Sequence, residues 1–166
     1  MAAVSIPNTI YKAHIGGARY IFVTEENDVI IRDTTSGKLA HFTGRRWAQF
    51  LMEIYDIDTA INQAMMMKPV SLKLHIGGNW HVSITEKVPV IDIRRWYVRE
   101  DNSTLQPSSV GIALSYTQWF NLKKAMEEMQ KEVPQLTAIS PCWHNSQLDV
   151  EKCEECTPSP LIDYTK

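Results

Sequence analysis

Runs rich in Ile, Val, Phe and Tyr occupy 18–24 and 28–33, and the same texture returns over 79–85 and 89–98. Such short apolar runs bounded by turn residues predict strands. Glu26-Asn27-Asp28 supplies the turn between the first two, and Lys87-Val88-Pro89 the turn between the second two. A different period follows each pair. Trp47, Phe50, Leu51, Ile54, Ile57, Ile61 and Met65 fall at three- and four-residue spacings, as do Trp119, Leu122, Met126, Met129 and Val133. Each stripe predicts one amphipathic helix with a single buried face. Ser115 with Gln118 forms a capping box at the start of the second helix, and Thr43 is the matching cap of the first. Met65-Met66-Met67 is expected to give flexible packing at a helix end.

The two halves also agree residue by residue. His-Ile-Gly-Gly stands at 14–17 and again at 75–78, 61 residues later, and at the same offset Thr24-Glu25 matches Thr85-Glu86 and Val29-Ile30 matches Val90-Ile91. Farther on, Trp47 finds its counterpart in Trp119 at an offset of 72, so the second half carries 11 extra residues between strands and helix. An ordered series of matches indicates a duplication. The expected copies are 10–66 and 70–133, joined at Lys68-Pro69, with an irregular acidic tail over 134–166. The glycine pairs 16–17 and 77–78 predict bends rather than phosphate loops, because no Lys-Ser/Thr follows them. His14 and His75, beside those bends, are expected to be hydrogen-bonded structural groups.

Composition narrows the class. The 166 residues are 44% hydrophobic and 22% charged, a globular mixture. No apolar run reaches the eighteen residues of a membrane span, and the first twenty residues show no secretory pattern. The net charge of −2 excludes a whole-molecule basic field, so nucleic-acid binding would need a local patch. Three cysteines, all near the C-terminus, are too few for a disulfide framework and suit a reduced, intracellular setting.

Ile76-Gly77, the run from Val90 to Tyr97, Gln106-Pro107, Gly111 to Ser115, Gln118-Trp119 and Leu122-Lys123 together resemble the positive cofactor 4 family. These are small transcriptional coactivators that bind single-stranded DNA. The first half resembles the same family more faintly, chiefly through Trp47-Ala-Gln-Phe50 and Tyr55 to Ile61. The resemblance implies an α+β fold: two tandem copies of a curved four-stranded antiparallel sheet followed by one long helix, paired as an intramolecular pseudo-dimer. It implies a binding role for the strand face, with single-stranded DNA as partner, transcription proteins as further partners, a monomer with an internal pseudo-two-fold, and a nuclear location. The 11 extra residues are expected to form a longer hairpin around Glu100 to Thr104 in the second copy.

Departures from the family pattern bear on binding. Gln106-Pro-Ser-Ser-Val110 carries no cation where the family's hairpin is basic, and the earlier turn reads Thr85-Glu-Lys-Val88. Arg94 keeps the family's basic position on the long strand and Tyr97 its aromatic one, while Arg19, Arg95 and Arg99 are the remaining candidate cations. Alternation puts 95, 97 and 99 on one face and 94, 96 and 98 on the other, so Arg94 and Tyr97 share a site only if the strand bends. Single strands are held by cations along the phosphates and by aromatic stacking, so DNA binding is expected to be weaker than the family's. Trp80 and Trp96 are expected to pack in the sheet.

The tail offers Cys142, His144, Cys153 and Cys156, a candidate tetrahedral zinc set whose Cys-x2-Cys half has ligand spacing. Its net charge from 135 onward is −3, which suggests an acidic strap over the cationic strand. No nucleophile, metalloprotease or Walker pattern is present, and no enzymatic activity is expected. Two functions stand: a DNA-binding coactivator-like protein acting through the sheet face, or an interaction module that kept the fold and lost most DNA binding.

Overall fold

A computed structural model describes residues 6–141 except 102, together with 154–156, 158 and 161–163. Alternation sets the faces of two antiparallel sheets. The first runs in the order β1 (Thr9–Gly16), β2 (Arg19–Thr24), β3 (Val29–Asp33) and β4 (Leu39–Phe42). The second runs β5 (Ser71–Gly77), β6 (Trp80–Thr85), β7 (Val88–Arg99) and β8 (Leu105–Leu114), each strand paired with its sequence neighbour. Ile15, Ile21, Val23, Val29, Ile31 and Phe42 point inward from the first sheet, and Ile76, Val82, Ile84, Ile91, Ile93, Ile112 and Leu114 from the second; all are buried.

Both sheets open with the same bend. Gly16 and Gly17 have φ of 129° and 58°, and Gly77 and Gly78 have 123° and 58°, conformations that side-chain-bearing residues rarely adopt. His14 Nε2 donates to the Gly17 carbonyl and His75 Nε2 to the Gly78 carbonyl, both at 2.7 Å. The histidines are thus structural ties, as their repetition beside the glycine pairs suggests. The expected longer hairpin is present as well: β7 and β8 far exceed β3 and β4, with β7 ending at Arg99 and β8 beginning at Leu105.

The first stripe does not form one helix. It divides at Glu53, whose φ and ψ of −95° and 2° separate α1 (Gly44–Met52) from α2 (Ile54–Met65). No proline or glycine stands at the break. The bend lets α1 lie against β4 and β5 while α2 crosses β6 and β7, surfaces that one straight rod would not follow. Met65, Met66 and Met67 end α2 exposed rather than packed, and Met67 takes a φ of 59° as the chain turns away. The second stripe is continuous as α3 (Tyr116–Glu132), with the Ser115–Gln118 capping box formed, and a 3-10 turn (Pro134–Ala138) follows.

The helices bind the halves together by crossing. α3 packs on β1, and α1 and α2 pack on strands of the second sheet. Asn121 Nδ2 donates to the Ile15 carbonyl at 3.0 Å. Between the helices, Trp119 meets Phe50 edge-on at 6.0 Å between centroids, and its Nε1 donates to Asp58 at 2.6 Å. Lys123 Nζ reaches the same carboxylate at 2.9 Å. One buried apolar cluster therefore includes residues of both sheets and all three helices. A two-residue strand, β9 (Ile162–Asp163), pairs in parallel with the end of β7. Among the described residues no helix is long and apolar enough to cross a membrane.

Candidate nucleic-acid interface

The side of each sheet opposite the core presents a row of cations and rings. In the second sheet, cross-strand pairing sets His75 opposite His81 and His81 opposite Arg94. Lys73 and Trp96 lie one alternation step away on the same face. Lys73 Nζ sits 3.8 Å from the centre of the Trp96 ring, and His81 lies 5.5 Å from Trp96 and 5.1 Å from His75. Lys73 and His75 are exposed. Trp96 Nε1 and His81 Nδ1 have no hydrogen-bond partner. Both atoms are shielded from water, and indole N–H groups and imidazoles so placed normally find one.

The first sheet repeats the arrangement in a more apolar and more covered form, for Phe22 on that side is buried at 1% exposure. Lys12 Nζ stands 4.8 Å from the Tyr20 ring centre and 5.6 Å from that of Phe22, and His14 lies 4.9 Å from Tyr20. Arg32 is paired across from Tyr20, as Arg94 is from His81. Lys12 and Lys73, like His14 and His75, stand 61 residues apart. Extending the repeat outward from His-Ile-Gly-Gly to these lysines is the sequence signal that finds this surface.

The expected site residues divide differently. Arg94 lies on the open face, half-buried; its Nη2 is 2.9 Å from Asp92 and its Nη1 donates to the Ser108 carbonyl at 3.0 Å. Arg95, Tyr97 and Arg99 keep the opposite parity, because the irregularity between Arg94 and Trp96 lies in β8. There Gly111 faces Arg94 while Pro107 faces Trp96, so the surplus residues are not in β7. Arg94 and Tyr97 therefore do not share a surface; the ring beside Arg94 is Trp96. Arg95 lines a cavity of about 350 Å³ with Trp80, Arg46 and Leu161. Arg99 is held by Asp101 at 2.7 Å. Arg19 pairs with Asp33 at 3.2 Å and donates to the Ala113 carbonyl, a strut between the halves. Trp80 packs inward, as expected, and is buried.

Electrostatics on the open face favour a neutral His81. Burial, then the neighbouring charges of His75 and Lys73, push its pKa down to about 4. In the unfolded chain the imidazole returns to its ordinary value near 6.5. The folded state thus binds the proton less readily, and the stability contributed by neutral His81 is lost as pH falls from about 6.5 through 4. Thermal unfolding followed across that window should show a falling midpoint, and His81→Asn should make the fall shallower. An unchanged slope in the variant would show that His81 does not carry it.

Of the candidate zinc set, Cys142, His144 and Cys153 lie outside the described residues. Cys156 is described, and its sulfur is in a disulfide rather than a free thiolate. No group of three His, Cys, Asp or Glu side chains that could hold a metal occurs among the described residues. The described part of the tail meets the cationic strand at its outer end, beside Arg95 and Arg99. It runs past Arg46 and Gly78 to the outer end of β7.

Residues 75–125 match the family model for Transcriptional Coactivator p15 (PC4), a span from β5 into α3. A Caenorhabditis elegans protein named "Putative RNA polymerase II transcriptional coactivator" is 40% identical over 42 residues, which cover 25% of this chain and 34% of that protein. The match thus spans about a third of the relative's length. No solved structure matches the chain.

Proposed function

We propose that the chain is a non-catalytic, coactivator-like protein of the nucleus that holds single-stranded DNA on the open face of the second sheet. The observation carrying this reading is the cluster of Lys73, His81, Arg94 and Trp96 on one strand face, with the exposed Lys73 over the Trp96 ring. It lies within the segment that matches the coactivator family, apart from Lys73 two residues before it. The first sheet extends the track through Lys12, Tyr20 and Arg32. In this reading the halves are tandem copies of one unit, paired about a pseudo-two-fold axis by their crossed helices, and other transcription proteins are partners. The reading requires no cofactor.

Magnitudes favour exchange of Lys73 from ring to phosphate. A cation over an exposed ring is worth about 0.5–1 kcal/mol, whereas a base stacked on an aromatic is worth about 1–3 kcal/mol. A base can therefore take the Trp96 face while the ammonium turns to the backbone. Arg94 is already committed to Asp92, so fewer free cations track the phosphates than a strongly basic groove would supply, and affinity should be modest.

Fluorescence anisotropy with an oligothymidylate across a salt series tests this. Trp96→Ala should weaken binding by about 5- to 150-fold, the equivalent of one stacked base. Lys73→Ala should lower affinity equally for all sequences and reduce the salt slope by about 0.7, one phosphate contact. Arg95→Ala, on the other face, should leave affinity unchanged. Absence of binding by the unaltered chain at low salt would refute the DNA reading.

A further inference from the structure

The N-termini of α1 and α3 differ at the third position after the cap, and that difference creates a second site. Three residues after its cap, α3 has Gln118, which accepts from the Ser115 N–H at 3.0 Å and closes the capping box. Three residues after Thr43, α1 has Arg46, which has no acceptor to offer. Its guanidinium instead points across to the Gly77–Gly78 bend of the second sheet. A Cβ on Gly78 would lie 2.5 Å from Arg46 Nη2, so only glycine lets the cation lie so close.

A tail carboxylate fills this place. Arg46 Nε and Nη2 donate to Glu155 at 3.1 and 3.0 Å, and Thr43 Oγ1 donates to the same carboxylate at 2.9 Å. Arg46 Nη1 is anchored on the His41 carbonyl at 2.8 Å. Both side chains of the pair are nearly buried, at 10% and 13% exposure, so the cation requires an anion opposite it. Backbone contacts extend the contact. Gly78 N–H donates to the Glu155 carbonyl at 2.9 Å and Val98 N–H to the Leu161 carbonyl at 2.6 Å. The second bond is available because β6 pairs with β7 only as far as Arg95, which leaves the outer end of β7 open on that side.

The tail fills the groove incompletely. Between Arg46, Trp80, Arg95, Glu154 and Leu161 a cavity of about 350 Å³ remains, and the buried Nε of Arg95 has no hydrogen-bond partner. We propose that this groove is a docking site for an extended acidic segment of a partner protein, with one carboxylate on Arg46 and Thr43 and a second reaching Arg95. The chain's own tail is its resident occupant in cis. Main-chain bonds to Gly78 and Val98 give strand-like binding, and the two arginines select acidic sequence. Because the tail competes intramolecularly, a partner must exceed a high effective concentration to displace it. This site is separate from the DNA face, on the opposite side of β7.

The test uses the full chain carrying Glu155→Lys, which sets like charges together and frees the groove. The probe is a labelled peptide of residues 152–163 with serine in place of cysteine. Anisotropy should show binding to this variant at least tenfold tighter than to the unaltered chain. Adding Arg46→Ala, or changing the peptide's Glu155→Gln, should abolish the gain. A peptide with Pro158→Glu should bind more tightly still, and Arg95→Ala should cancel that increment. Should Glu155→Lys fail to give the native circular dichroism spectrum, the isosteric Glu155→Gln replaces it. Equal binding by the unaltered and freed chains, indifference to Arg46→Ala, or displacement of the peptide by oligothymidylate would each overturn the proposal, the last by making the groove a nucleic-acid site.

Discussion

Trp119→Ala should destabilise the protein by about 3–5 kcal/mol, the range for truncating a large aromatic in a packed core. Trp119 is 1% exposed and stands between the halves. It packs edge-on against Phe50 of α1 and donates to Asp58 of α2. The substitution opens a cavity and removes one of the two hydrogen-bond donors to Asp58, leaving the Lys123 ammonium. Trp119→Phe separates these contributions. It retains most of the apolar volume and loses only the Nε1 bond, so about 1–2 kcal/mol is expected. Urea unfolding monitored by circular dichroism measures both. A single transition shifted to lower urea would fit one cooperative core shared by both halves. A Trp119→Ala protein within about 1 kcal/mol of the parent would show that the crossed helices are not what holds the sheets together.

Gly111→Ala should be costly for a different reason: its neighbours are main chain. A Cβ there would lie 2.6 Å from the Ile93 carbonyl oxygen and 2.9 Å from the Arg94 Cα. Neither can rotate away as a side-chain end could, so the β7–β8 ladder must separate locally, at about 1–3 kcal/mol. The consequence reaches the open face. Gly111 is paired with Arg94, and Arg94 donates to the Ser108 carbonyl in the adjoining irregular stretch of β8. Displacing β8 shifts Arg94 and with it Trp96, so oligothymidylate affinity should fall together with stability. Loss of stability with unaltered affinity would place the DNA contacts elsewhere.

Much of the architecture is legible in the residues. Strand runs, glycine bends, both helix caps and the longer second hairpin correspond to elements that local geometry dictates. The expected single first helix was not, because nothing in the stripe from Trp47 to Met65 marks Glu53. That break answers to the surfaces beneath it, β4 and β5 for α1, and β6 and β7 for α2. The candidate site was legible in part. Arg94 could be placed on one face by alternation, and alternation already opposed it to Tyr97. Trp96 was expected to pack within the sheet, since a sequence shows an aromatic residue without showing which side of the sheet is covered. Lys73 carried a signal, its 61-residue match to Lys12, but a lysine at a strand position is ordinary until the ring beneath it is known.

Within the sequence itself lie the period and punctuation of β2, β3, β6 and β7 and of the two helical stripes, and the 61-residue matches around His-Ile-Gly-Gly. These follow from covalent geometry acting over a few residues, the two-residue alternation of strands and the 3.6-residue turn of helices. Only the tertiary structure decided which helix covers which sheet, and hence which sheet faces remain open. It also decided the fate of each arginine. Arg19 became a strut to Ala113, Arg46 the partner of Glu155, and Arg94 a partner of Asp92 on the open face. The first two contacts join residues 94 and 109 positions apart, a separation over which local propensity says nothing. They form because burying both helical stripes at once brings those positions together, and a guanidinium so placed must find an acceptor there.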